Sequence, residues 1–297
     1  MGIYPGAPAR RVDDRGSRHH ERPAPHLARL ARIAAPQRDR RWEGAAAVPT
    51  FGCAYWGRDA SVADRDLASL PELGFSWVVI PVSTERMRYD RAGAAAVIAA
   101  AKRHGLATRI APWGVGGIFG GEGVVEAGRT PQETLAWWLS SAHELQPDAM
   151  FWDEPQGARG LRAMTKAMTT LPIPGAAQYL YVNPDRSDWP DLPAAVSLAG
   201  IGIDAYQSPA VAIARLPEVR QRYGLPVHVW VRSFGLTRRE TLRPAHDLST
   251  LLDAGVADIG VWGFPSAGCS CLDNAEPQRV WNGITATLAS LGEARAA

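Results

Sequence analysis

From residue 50 onward the chain alternates eight short apolar or β-branched runs with eight helical stretches, at about 25–35 residues per unit. That body is about 250 residues long, a typical size for such a ring. Its first strand-to-helix loop, Gly57-Arg58-Asp59-Ala60, is not the glycine-rich phosphate loop that a doubly wound open sheet normally carries. Together these observations predict an α/β fold: a (β/α)8 TIM barrel over residues 49–297, behind a disordered N-terminal tail over 1–48.

The elements follow in order. Phe51 to Trp56 reads as the first strand, and Ser61 with Asp64 three residues on reads as a capping-box start for its helix. Phe75 to Val82 is the second strand, followed by an alanine-rich helix from Thr84 to His104 that Gly105 stops. Ala107 to Pro112 is the third, leading into a glycine-rich loop, Trp113 to Gly128, which is expected to act as a lid with Phe119 and Glu122 reaching a ligand. Thr130-Pro131-Gln132-Glu133 opens the next helix with a cap, a first-turn proline and a capping-box glutamate. The run Ala149-Met150-Phe151-Trp152 is the fourth strand, and its helix spans Ala158 to Thr170. Strand five covers Gln178 to Asn183, with a weak helix near Leu192 to Leu198. Strand six covers Gly200 to Tyr206, and Ser208-Pro209 starts the helix after it. Strand seven is Pro226 to Val231 with a helix from Glu240 to Asp253, and strand eight is Ala257 to Phe264 with a closing helix from Pro277 to Leu291.

Composition narrows the partners. Residues 1–45 hold ten arginines against five acids and three of the seven histidines, which leaves a mildly acidic body. A segment so charged, with no apolar period, is expected to stay disordered. The body has no basic stripe with interleaved aromatics, so nucleic acid is not an expected partner. No apolar run reaches the roughly 18–20 residues that cross a bilayer, so no membrane partner is expected. The tail lacks the apolar core of a secretory signal, and the cytoplasm is the expected location. Cys53, Cys269 and Cys271 make neither a disulfide framework nor a zinc knuckle. Both lysines, Lys102 and Lys166, fall in predicted helices, which argues against Schiff-base and pyridoxal chemistry. No His-x-His or His-Glu-x-x-His spacing exists, and no cofactor or metal is expected.

A barrel of this kind builds its active site at the carboxyl ends of its strands. There the sequence places Tyr55, Trp56, Trp113, Asp153, Glu154, Asn183, Asp204, Tyr206, Arg232 and Trp262. The set is rich in aromatics and carboxylates, which suits a carbohydrate: rings stack on sugar C–H faces while carboxylates accept hydroxyl hydrogens. Trp152 and Trp230, inside their strands, read as packing, and His228 reads as a satisfied core or lower-layer histidine.

Aromatic strand ends with an acid pair before proline on the fourth strand resemble the TIM-barrel glycoside hydrolases. Their large retaining clan ends that strand Asn-Glu-Pro, and here the tripeptide is Asp153-Glu154-Pro155. Related barrels that cleave N-acetylhexosaminides by substrate assistance carry an adjacent Asp-Glu in the same place. The resemblance implies that Glu154 is the general acid/base and that Asp153 orients a substrate acetamide. It departs at strand seven, where the clan's nucleophilic Glu is replaced by Arg232-Ser233-Phe234; Glu240, eight residues later, reads as a cap. Asp204 on strand six is then the candidate second carboxylate. Strands four and six are roughly 10 Å apart, within reach of either the ~5 Å retaining or the ~6.5–9.5 Å inverting separation. Two alternatives stay open: a carbohydrate-binding barrel without catalysis, and a sugar isomerase or lyase using magnesium or manganese on Asp153, Glu154 and Asp204.

Overall fold

The computed structural model describes residues 49–55, 59–82, 89–112, 130–152, 164–166, 168–169, 176–185, 189, 191–192, 196–263 and 274–296. The expected tail over 1–48, the lid over 114–122, Cys269 and Cys271 lie outside them.

Eight parallel strands close on themselves in sequence order: β1 (Thr50–Ala54), β2 (Phe75–Val82), β3 (Ala107–Pro112), β4 (Ala149–Trp152), β5 (Ala177–Tyr181), β6 (Gly200–Asp204), β7 (Val227–Arg232) and β8 (Asp258–Trp262). Closure is made by β1 against β8, in register from Thr50 with Asp258 to Cys53 with Val261. The fold is a TIM barrel. Six helices have defined bounds: α1 (Ala63–Ala68), α2 (Arg91–Arg103), α3 (Pro131–Leu145), α4 (Pro209–Tyr223), α5 (Arg243–Asp253) and α6 (Pro277–Ala296). None among the described residues is long and apolar enough to cross a membrane.

Local chemistry explains several starts and stops. The capping box at α3 forms as expected: Thr130 Oγ1 accepts from the Glu133 N–H at 3.2 Å, and Glu133 accepts from the Thr130 N–H at 2.7 Å. Ser208 caps α4, Pro209 fills its first position, and Gly224 ends it at φ +62°, a region that favours glycine. The first helix starts differently from expectation. A 3-10 turn over Ala60–Val62 precedes it, capped by Asp59, which accepts from the Ser61 N–H at 2.9 Å; α1 itself has no side-chain cap, and Asp64 instead pairs with Arg103 and His104 at the α2 end. The helix expected over Leu192 to Leu198 is not found in its described residues, Leu192 and 196–198, which are irregular.

Strand alternation sorts the side chains into two apolar populations. One packs between the ring and its helices, with Leu67, Val97, Ile110, Trp138, Trp152, Ile203, Leu251 and Ile284 in its midst. The other fills the lumen and includes Ala54, Trp77, Val79, Phe151, Tyr181 and Trp230. Three large rings occupy the lumen because three neighbouring positions are glycine. A Cβ on Gly52 would lie 2.0 Å from the Trp77 ring, one on Gly202 2.4 Å from His228 Nε2, and one on Gly260 2.4 Å from the Trp230 ring. A residue larger than glycine at any of the three would displace a ring.

The amino-terminal end of the lumen is polar. The Arg109 guanidinium lies 3.8 Å from the Trp77 ring centre and 4.4 Å from that of Tyr179, and it pairs with Asp258 at 3.6 Å. Asp258 also accepts from Thr50 Oγ1 at 2.8 Å and Trp77 Nε1 at 3.0 Å. The lower-layer reading of His228 holds, but the ring is not satisfied: it is 1% exposed and neither nitrogen has a hydrogen-bond partner.

Candidate functional site

At the carboxyl end of the ring, β5 through β8 deliver a carboxylate into an aromatic surround. Asp204, the last residue of β6, is 7% exposed. Its Oδ2 accepts a close hydrogen bond from the phenol of Tyr181, the last residue of β5, and its Oδ1 accepts from the Tyr206 backbone N–H at 3.1 Å. Two donors, one from the neighbouring strand and one from the loop after β6, therefore fix the plane of one carboxyl group. Burial pushes the Asp204 carboxyl above the usual carboxylate range; the two hydrogen bonds pull against it, and the negative charge of Asp185 adds a further push upward.

Around this end of the lumen lie tilted and edge-on rings. Trp262 meets Trp230 edge-on at 4.9 Å between centres and lies 6.3 Å from Phe151, while Phe151 lies 6.0 Å from Tyr181. On the β6 and β7 side, Tyr206 meets Phe234 edge-on at 5.3 Å. Trp262 and Tyr206 are partly exposed, so the floor offers ring surface to solvent.

The residues expected at this face have different fates. Asp204, Tyr206 and Trp262 come together as described. Asn183 sits just beyond β5, and its Oδ1 accepts from the Asp185 N–H at 2.9 Å while its carbonyl accepts from Trp189 Nε1 at 2.6 Å; it shapes the loop. Arg232 turns back on its own loop, donating to the carbonyls of Phe234 at 3.0 Å and Gly235 at 2.9 Å. Tyr55 belongs to the other side of the wall: it is buried, its hydroxyl donates to Asp66 of α1 at 2.9 Å, and it stacks on Tyr89. One step of alternation past Ala54 turns it towards the helices. Asp153, Glu154, Trp56 and Trp113 lie outside the described residues. Trp152 is buried on the helix side, against Trp138 and donating to Gln178 at 3.0 Å. Glu240 caps a turn as expected, accepting from the Thr237 N–H and hydroxyl.

Two groups escaped the sequence reading. Tyr181 was buried in a strand read as ending at Asn183; β5 ends at Tyr181 itself, and the alternation Tyr179, Tyr181 marks both as lumen residues. Asp185 is exposed on the next turn, where its carboxylate accepts from Gln207 Nε2 at 2.6 Å and ties the β5 loop to the β6 loop. Arg243 of α5 holds that β6 loop from outside, donating to the carbonyls of Tyr206 at 2.7 Å and Gln207 at 2.5 Å. No group of three or more metal-ligating side chains occurs among the described residues.

No protein-family model matches the chain, and no curated protein matches it. Among solved structures it is similar to a GH113 β-1,4-mannanase, at 13% identity over 82% of this chain and 98% of that one, with a TM-score of 0.54. It is also similar to a GH10 xylanase of Thermobacillus composti, at 14% identity over 82% of this chain and 97% of that one, with a TM-score of 0.50. At these identities the likeness is one of fold.

Proposed function

We propose that this barrel is a glycoside hydrolase-like enzyme that cleaves a glycosidic bond by carboxylate acid/base catalysis. The observation that carries the reading is Asp204: a carboxyl fixed by two donors, buried at the catalytic end of the barrel and floored by Trp262, Phe151 and Tyr206. In its ionised form such a group accepts from a substrate through its remaining lone pairs, which matches a sugar hydroxyl or an attacking water. Rings beside it suit the C–H faces of a pyranose. In this reading Glu154 donates the proton to the leaving oxygen, Asp153 orients the substrate, and Asp204 serves as the second carboxylate. The similarity in fold to a mannanase and a xylanase is compatible with it and adds no residue-level support.

The test is turnover on a broad panel of aryl glycosides and oligosaccharides, followed by E154Q and D204N. Wild-type hydrolysis that falls by about 10²-fold or more in each variant is expected. Hydrolysis at the full rate in both would remove the assignment. A second reading, a sugar-binding barrel without turnover, draws on Arg232, which stands at the strand-seven end and is committed to loop carbonyls. Saturable sugar binding with no product on any substrate would favour it.

A further inference from the structure

We propose that Tyr181 is the positioning residue of this site, holding Asp204 as a fixed hydrogen-bond acceptor whose task is that of a base or orienting group and not of the proton donor. The inference deepens the hydrolase reading and rests on it only for what Asp204 does to substrate.

The argument starts from the two donors. A carboxyl on a strand end swings about two side-chain torsions unless something holds it. Asp204 is held on both oxygens, by a phenol from the neighbouring strand and by a backbone N–H two residues further along its own chain. The phenol is itself fixed: Tyr181 is 6% exposed and packs against Phe151, which packs against Trp230. The backbone donor is fixed too, because Arg243 clamps the Tyr206 and Gln207 carbonyls of the same loop. Orientation therefore comes from two separate parts of the ring, and the group has little freedom left to lose when a ligand binds.

Proton placement follows from ordinary acidities. A free phenol holds its proton near pH 10 and a free aspartic acid near pH 4, a gap of about six units. The geometry agrees with that order, since the Tyr181 phenol donates to Asp204 Oδ2. The shared proton thus stays on Tyr181, and Asp204 receives it as an acceptor. A carboxylate receiving two hydrogen bonds is a well-aimed acceptor. The charged or titratable side chains that face Asp204 among the described residues are Tyr181 from β5 and Asp185 from the loop after it.

The experiment reads the pair directly and needs no substrate. Protein labelled with carbon-13 at the aspartate carboxyls is titrated by NMR, with D204N assigning the Asp204 resonance. In Y181F the carboxyl stays buried and loses one donor, so its titration should move to higher pH by about one to two units. A shift below a few tenths of a unit would overturn the proposal. Should Y181F fail to fold, protein carrying 3-fluorotyrosine supplies the second measurement. The Tyr181 fluorine signal should move as Asp204 titrates and lose that step in D204N; a signal indifferent to Asp204 would overturn the proposal as well. Once a substrate is known, the acid limb of kcat/KM should move in Y181F in the same direction as the NMR titration. If the NMR shift appears and D204N still hydrolyses at the full rate, the pair stands and it is the hydrolase reading of Asp204 that falls.

Discussion

His228 gives the fold a pH dependence that can be worked out in advance. Its ring is fully enclosed in the lumen, between Trp77, Phe151, Tyr179 and Trp230, with no hydrogen-bond partner on either nitrogen. Burial pushes its pKa from 6.5 down to about 3; Asp258 opposes the change weakly, and Arg109 adds to it. The folded protein therefore keeps a neutral imidazole at pH values where the unfolded chain takes up a proton. Stability from this source is complete above about pH 6.5 and is lost progressively as the pH falls towards 3. Between pH 7.5 and 4.5 the loss amounts to about 2–3 kcal/mol, from about two units of unmatched protonation at 1.36 kcal/mol each. Urea unfolding followed by tryptophan fluorescence, at half-unit steps over that range, measures it in the wild type and in H228Q. The two proteins share every other titrating group, so those contributions, including the raised carboxyl of Asp204, cancel in the difference. H228Q should lose less stability on acidification, by about the amount given. Parallel curves, agreeing within about 0.5 kcal/mol across the range, would refute the reasoning by showing that the ring finds a proton or a partner inside the fold.

Two further predictions concern the walls. Gly260→Ala puts a methyl group 2.4 Å from the Trp230 ring and 2.8 Å from that of Trp77, and should destabilise by about 1–3 kcal/mol. Adding W230F should restore part of that loss, so the double variant costs less than the sum of the singles; strict additivity in unfolding experiments would contradict the contact. On β4, Phe151 faces the lumen and Trp152 the helices. In the hydrolase reading Asp153 orients the substrate beside the Glu154 acid, so D153N should reduce turnover along with E154Q. A silent D153N beside an inactive E154Q would remove Asp153 from the reading.

The ring itself was legible because its signal is redundant. Eight apolar runs, each bounded by glycine, proline or a capping residue, repeat at a spacing that few other folds share. What the sequence hid were strand ends and facings. Strands one, five and six were each expected to run about two residues beyond the ladder, since Tyr55, Asn183 and Tyr206 are as apolar or as polar as true strand ends. Only the hydrogen-bond register decides where pairing stops. That error turned Tyr55 towards a site it does not line and left Tyr181 unnoticed inside a strand. Gly52, Gly202 and Gly260 were equally silent: a glycine within a strand announces a close approach without naming the ring that makes it. Asp204 was found because a carboxylate after an apolar run at the catalytic end is costly unless hydrogen-bonded or used.

The packing of the lumen also decides the direction of traffic. Trp77, His228 and Trp230 fill the middle of the ring, and Arg109 with Asp258 seals the end below them. Close-packed rings thus fill the lumen below Asp204. A ligand of Asp204 therefore has no path through the barrel and meets the carboxyl from the carboxyl end of the ring.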